Sequence, residues 1–342
     1  MSQRFFSRAA FALAACSATA LLAASAARSA DFSAEYVFGD SLSDNGNLAS
    51  IAPLVGLTFT DPPSVNGSFT NGPVAVQLLA ESLGLSANAA LWLTAPAVPA
   101  GTNYAVGGAT SATPSTGFIN LLDQVGAYSA YSADHADPNA LYVVMIGGND
   151  VRDAALDGTG EAAVTAGVDA ELTAISTLSG EGAKHFLVVN VPNVGIIPEF
   201  AQDNPSLAAE ATTFSQNYDS ELAAGLGDLD LGAGATLTDF DLYDFNANIL
   251  ANAASLGFTD TTDRCYTDTP GSAATSPKCG PNAENIDSFL YWDDIHPTAR
   301  VQALWAEGFE AAVPEPSTWA MLLVGFAGLG FAGYRARARA AA

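Results

Sequence analysis

A three-layer α/β/α sandwich around a mainly parallel, five-stranded sheet is the fold class predicted by this 342-residue sequence. Three observations lead there. Short apolar runs without polar alternation, such as "ALYVVMI" and "HFLVV", read as strands covered on both faces. Ala-rich segments of helical length and periodicity separate them. The two kinds alternate along residues 31–313 with no repeat and no internal linker, which is the pattern of one parallel sheet layered by helices.

Taken in order, "AEYVFG" is the first strand, stopped by Gly39. "NGPVAVQLLAESLGL" has Pro73 near its start, Val76, Leu79 and Leu83 on one face and a glycine stop, so it reads as a helix. "GTNYAVGG" is a second, short strand or strand end. "FINLLDQVGAYSAYSAD" is helical, with Leu121, Leu122, Val125 and Tyr128 sharing a face. "ALYVVMIGGND" is the third strand, breaking into glycine and polar residues. "GEAAVTAGVDAELTAISTLSGEGA" is one long helix or two, and "KHFLVVNVPNVG" the fourth strand. "NPSLAAEATTFSQNYDSELAAGLGDL" is a helix and "ATLTDFDLY" the fifth strand. "DFNANILANAASLG" and "HPTARVQALWAEGFEAAV" are the last two helices.

The charge is uneven. The chain holds 11 Lys and Arg against 36 Asp and Glu, a net charge of -25, and most of the positive residues lie at the ends. Such a body repels nucleic acid and anionic membrane surfaces, so nucleic acid is excluded as a partner. The 49% apolar content argues against disorder.

Both ends read as targeting segments. Arg4 and Arg8 precede "AAFALAACSATALLAASAA", which predicts a secretory signal peptide over residues 1–30, cut between Ala26 and Ala30. A lipoprotein-type box, "LAAC" at Leu13 to Cys16, is a rival, but the apolar run continues past Cys16. Residues 314–342 hold Pro-Glu-Pro, then a short apolar stretch from Trp319 to Tyr334, then three arginines. That stretch is slightly short for a span of about 20 residues, and its basic side should stay cytoplasmic. In the mature chain Cys265 and Cys279 flank "YTDTPGSAATSPK". Their pairing would close a loop of about 15 residues, worth roughly 3 kcal/mol in a loop-closure model, and suits an exported protein. A metal site is the rival, but no His or third Cys lies nearby.

Four polar clusters follow strands, where open α/β sheets place their ligand crevice. They are "GDSLSDNGN", "GGAT", "GGND" and, after the Cys-flanked loop, "FLYWDDIHPTA". Of three histidines, His135 sits in a polar helix exit and His185 at a strand edge. His296 differs. It precedes Pro297 and the last helix, with Asp293 three residues upstream, a spacing that lets a carboxylate turn back on the imidazole. Helix capping by Asp293 or Asp294 is the competing reading. Ser41 alone is weak evidence, because serines after strands are usually turn or cap residues. No GxSxG elbow is present.

Taken together, "FGDSLSDNGN", "GTNYAVGGAT", "IGGND" and "WDDIHPTA" resemble the four blocks of the GDSL esterase/lipase family, the SGNH hydrolases. "GSFTNGPVAVQLLAESLG" and "KHFLVVNVPNVGIIPEF" resemble further blocks of its lipase-like branch, and the likeness runs from Tyr36 to about Val313. One departure is Ser68, where the branch often carries arginine. The resemblance implies a flavodoxin-like sheet and an ester hydrolase without metal or organic cofactor. It implies Ser41 as nucleophile, His296 as general base and Asp293 as its orienting partner. The oxyanion donors would be the amides of Ser41 and Gly108 and the side chain of Asn149, with Gly107 a rival for Gly108. Asp40 and Asp150 would be supporting residues. The tail "VPEPSTWAMLLVGFAGLGFAGYRARARA" resembles the PEP-CTERM sorting signal of Gram-negative bacteria that make exopolysaccharide. That implies export to the envelope, outer surface or matrix, first held at the inner membrane, with processing machinery and an exopolysaccharide matrix as partners. The substrate would be an ester, either acyl lipid or acetylated glycan. An acyltransferase and a non-catalytic matrix-binding protein are the alternatives.

Overall fold

The computed structural model describes residues 32–59, 64–95, 98–112, 119–266 and 286–313, together with Gly328. The leader, the sorting tail apart from Gly328, and Cys279 lie outside these residues. Residues 32–313 form one compact unit. Among the described residues, no helix is long and apolar enough to cross a membrane.

Four parallel strands make the regular sheet: β1 (Glu35–Gly39), β2 (Leu141–Met145), β3 (His185–Val189) and β4 (Thr236–Phe240), in that spatial order. Their register aligns Tyr36, Tyr142, Phe186 and Leu237 across one face. The helices are α1 (Asn47–Ile51), α2 (Ala75–Ser82), α3 (Leu121–Ser132), α4 (Gly148–Leu156), α5 (Glu161–Glu181), α6 (Ala208–Asp228), α7 (Leu242–Ala251) and α8 (Ala299–Ala312). A parallel two-stranded sheet, β5 (Asp260–Arg264) with β6 (Phe289–Tyr291), stands apart.

Strand alternation sends side chains to two layers. On one face Tyr36 and Phe38 meet Tyr128 of α3, with ring centroids 4.8 and 5.7 Å apart. Tyr104 and Tyr142 join this aromatic cluster. On the other face Phe240 meets Phe245 of α7 and Phe309 of α8. Fully burying side chains of this size stabilises by about 1.5–3 kcal/mol each, so these clusters carry much of the driving force.

The fifth strand is present in place but not in regular form. Residues 102–106 run beside β1 through the bonds Val37 N–H to Thr102 O, Tyr104 N–H to Val37 O and Val106 N–H to Gly39 O. That gives the order segment 102–106, β1, β2, β3, β4, which is the flavodoxin-like arrangement. Side chains engage much of the outer edge of this segment. Asn47 donates to the carbonyls of Asn103 and Ala105 at 2.8 Å, and Asn103 accepts from the Ala105 amide. These bonds satisfy an edge that a further strand would otherwise cover.

The long Ala-rich segment is a single helix, α5. Asn120 and Asp123 form a capping box at the start of α3, satisfying amides that the helix itself cannot. The sequence reading did not anticipate α1, the helical course of α4, or the β5–β6 pair. His185 is half-exposed at its strand start and contacts Thr236 Oγ1 at 2.9 Å, and His135 is exposed.

Candidate active site

Parallel strands place all their C-terminal ends at one edge, and the polar clusters gather there. Ser41 lies two residues beyond β1. Asn149 opens α4, beyond β2. Gly108 follows the irregular edge segment. His296 arrives from far along the chain, on the turn after β6. That turn is closed by the Trp292 and Asp293 amides donating to the His296 carbonyl and by Thr298 N–H on Leu290 O.

Three side chains form a continuous line. Ser41 Oγ lies 2.7 Å from His296 Nε2. His296 Nδ1 lies 2.8 and 2.9 Å from the two oxygens of Asp293. A nitrogen between carboxylate oxygens keeps its proton there, so Nδ1 donates and Nε2 is left to accept from the serine hydroxyl. Asp293 is fully buried and His296 nearly so. Asp293 Oδ1 also accepts the amides of Ile295 at 2.9 Å and His296 at 2.7 Å. The three-residue spacing therefore folds the carboxylate onto its own loop and onto the ring. Asp294, the local rival, faces away and pairs with Arg264, which also binds Asp203. Phe69 packs on the imidazole with ring centroids 5.1 Å apart.

Several groups around Ser41 stay available as donors. The amides of Ser41 and Gly108 make no protein hydrogen bond among the described residues. Gly107 does: its N–H donates to Asp44 Oδ2 at 2.8 Å, which separates the two adjacent glycines. Gly108 is exposed and sits at φ +77°, a conformation favourable to glycine. Asn149 uses Nδ2 to hold Ala109 O at 2.8 Å, tying its loop to the Gly108 loop.

Buried carboxylates set this frame. Asp40 accepts the Leu42 amide at 2.9 Å and shapes the turn that aims Ser41 at His296. Burial raises its pKa to about 7, against the lowering effects of that amide and of His296. Asp44 takes the amides of Gly46, Asn47, Leu48 and Gly107, and burial still raises it to about 6. Asp150 accepts the amides of Ser111 at 2.7 Å and Ala112 at 3.2 Å, and burial raises it to about 6. Gln124 bonds both backbone groups of Gly39, where a Cβ would strike Met145 O.

The sequence reading missed Asp44, Asn47, Asn103, Gln124 and Phe69. Their only signal was being polar or aromatic near a motif. Ser68 is buried and bonds Val65 O at 2.6 Å, so the departure there lies inside the loop and carries no surface charge. Cys265 is fully buried in a small core with Tyr266, Phe289 and Trp292. Among the described residues, no cluster of three or more His, Cys, Asp or Glu side chains is arranged to hold a metal.

Ser41 and Asn149 lie on the wall of a cleft that opens to solvent. Beyond them the lining is mostly apolar, with Pro192, Val194, Ile197, Leu250, Val301 and Trp305. The arrangement holds a serine hydroxyl, an imidazole, a buried carboxylate and unpaired amide donors beside an apolar slot.

Comparison with known proteins agrees. The PEP-CTERM protein-sorting motif matches residues 312–338. Lipase 1 of Photorhabdus luminescens is 35% identical over 169 residues, covering 49% of this chain and 23% of that protein. Esterase EstA of Pseudomonas aeruginosa is 28% identical over 340 residues, covering 91% of this chain and 51% of that protein. The chain thus spans about half or less of the length of these two. Phosphatidylcholine-sterol acyltransferase of Aeromonas hydrophila is 27% identical over 320 residues, covering 81% of this chain and 88% of that protein. The model of the GDSL-like lipase/acylhydrolase family matches residues 36–309, and the chain belongs to that family.

Proposed function

We propose that the chain is an exported serine carboxylic-ester hydrolase, lipase- or phospholipase-like, acting through an acyl-enzyme. The observation that carries this reading is the unbroken line from Ser41 through His296 to Asp293 beside two unpaired amides. Ser41 Oγ attacks the ester carbonyl while its proton passes to His296 Nε2, and the carbonyl π pair moves onto oxygen. The amides of Ser41 and Gly108 and the Asn149 side chain receive that negative charge, and such donors are each worth about 2.7–4 kcal/mol in barrier. Gly108 is preferred over Gly107, whose amide is already bound by Asp44. As the tetrahedral centre collapses, the ester C–O bond breaks and His296 returns the proton to the leaving alcohol. Water then repeats the sequence on the acyl-serine, releasing acid and restoring Ser41. Asp293 keeps the imidazole oriented and stabilises its charged form. Asp40 and Asp150 hold the turns.

The apolar cleft favours an acyl lipid over an acetylated glycan, since an acetyl group would touch few of its many apolar lining residues. Exopolysaccharide deacetylation is an outcome of the same test, as is acyl transfer to an alcohol. A signal peptide over residues 1–30, a Cys265–Cys279 disulfide, and inner-membrane retention by residues 314–342 before processing complete the proposal. The sorting motif supports delivery to the envelope of a Gram-negative cell. The test is a screen of ester chain lengths and acetylated glycans with wild type and Ser41→Ala, alongside a fluorophosphonate probe. Hydrolysis and labelling that vanish in folded Ser41→Ala are expected. Unchanged hydrolysis in that variant would refute the assignment.

A further inference from the structure

The loops carrying Gly108 and Asn149 rest on a residue that belongs to neither. Tyr218, on α6, is fully buried. Its hydroxyl donates to Glu171 Oε2 of α5 at 2.7 Å. The same hydroxyl lies 2.8 Å from Ser111 Oγ, within hydrogen-bond distance. Ser111 belongs to the Gly108 loop. Its own amide is fixed by Asp150 of the Asn149 loop. The Tyr218 ring also lies directly under Gly147, at φ +103°, where any Cβ would overlap the ring. Tyr218 therefore touches one loop through a hydrogen bond and supports the other through van der Waals contact. It is anchored from behind by a carboxylate on a separate helix.

We propose that Tyr218, held by Glu171 and holding Ser111, is a positioning residue for the oxyanion site formed by the Gly108 amide and the Asn149 side chain. This rests on the ester-hydrolase reading above. The physical reason is geometric. Oxyanion donors act only within a narrow distance of the developing charge, and a displacement of about 1 Å costs up to about 100-fold in rate. Ser111 and Gly147 each lie within three residues of one of these donors. Binding of the ground-state ester depends mainly on the apolar cleft, which Tyr218 does not line.

The test compares wild type, Tyr218→Phe, Ser111→Ala, the double variant and Ser41→Ala, in kcat, KM and the second-order rate of fluorophosphonate labelling. Tyr218→Phe keeps the ring under Gly147 and removes the hydroxyl. Each single variant is expected to lose roughly 10- to 100-fold in kcat, with KM within about two-fold of wild type. Labelling should slow by a similar factor, because the probe oxygen occupies the oxyanion site. The double variant should fall little further, since both changes remove the same bond. Wild-type kcat in Tyr218→Phe, or a raised KM with kcat unchanged, overturns the proposal. Should Tyr218→Phe fail to fold, Ser111→Ala decides by the same criteria. Activity that survives Ser41→Ala refutes the hydrolase reading itself. Ser41-dependent activity that is indifferent to Tyr218 and Ser111 refutes this inference alone.

Discussion

Replacing Asp293 by asparagine changes one atom and reverses the logic of the imidazole. Asp293 Oδ1 accepts two backbone amides, at 2.9 and 2.7 Å. Asparagine offers one acceptor oxygen and one NH2 donor group. Turning that NH2 toward the two amides would set donor against donor, so the oxygen stays there. The NH2 then takes the place of Oδ2 and faces His296 Nδ1, which lies 2.8 Å away. The retained oxygen also lies 2.9 Å from Nδ1 but is already shared by two backbone amides, so the NH2 in the better-placed Oδ2 position favours Nδ1 as acceptor and moves the ring proton to Nε2. It then points at Ser41 Oγ across 2.7 Å, where an acceptor is required. A base in the wrong tautomer costs about 10⁴-fold in kcat, equivalent to about 5 kcal/mol. Asp293→Asn should leave volume and fold intact, checked by thermal unfolding. The assay is kcat and KM for a soluble chromogenic ester near neutral pH. A folded variant within about ten-fold of wild type would refute the orienting role of Asp293.

Three further outcomes are expected. Asn149→Ala should lower kcat by about 10²–10³-fold with a small change in KM, measured on the same ester, because it removes a donor to developing charge. Gly107→Ala should destabilise by about 1–3 kcal/mol in denaturant unfolding, because the new Cβ falls on the Phe69 ring that packs on His296. Asp219 is raised by burial to about 8, with Oδ2 buried and unbonded among the described residues. A folded-state value above the unfolded one of 3.8 means its contribution is full below that pH and is lost as pH rises toward 8. Asp219→Asn keeps an acceptor for the Val191 amide and cannot ionise. Its stability relative to wild type should rise by about 1.4 kcal/mol per pH unit across that window, read by denaturant unfolding at several pH values.

The sequence made much of this visible, and for identifiable reasons. Strands β1 to β3 contain apolar runs, whereas the edge strand β4 mixes polar and apolar residues, and the proposed nucleophile, donors and base sit in recognisable clusters. Asp293 was separable from Asp294 by its offset from His296, and the structure gives the two aspartates different partners. Gly107 and Gly108 were inseparable, because two adjacent glycines look alike until one amide is seen to bond Asp44. The supporting polar residues were hidden for a deeper reason. Asn47, Asn103, Gln124 and Tyr218 satisfy backbone or side-chain groups from distant chain segments, and such pairings leave no periodic trace. The fifth strand was ambiguous because its outer edge is completed partly by side chains and partly by the irregular backbone of residues 88–90. Helix α4 was obscured because its first residues are the glycine and asparagine of the donor loop.

Reaction and selectivity occupy different parts of this architecture. The hydroxyl, the imidazole and the donor amides are fixed by buried carboxylates and amides behind the sheet edge, while Val194, Leu250 and Val301 line the slot without joining that network. Enlarging or blocking those side chains should change which ester is accepted while the hydrogen-bonded frame keeps its alignment. A scaffold divided in this way can change its preferred substrate through a few aliphatic residues, with no need to reinvent its chemistry.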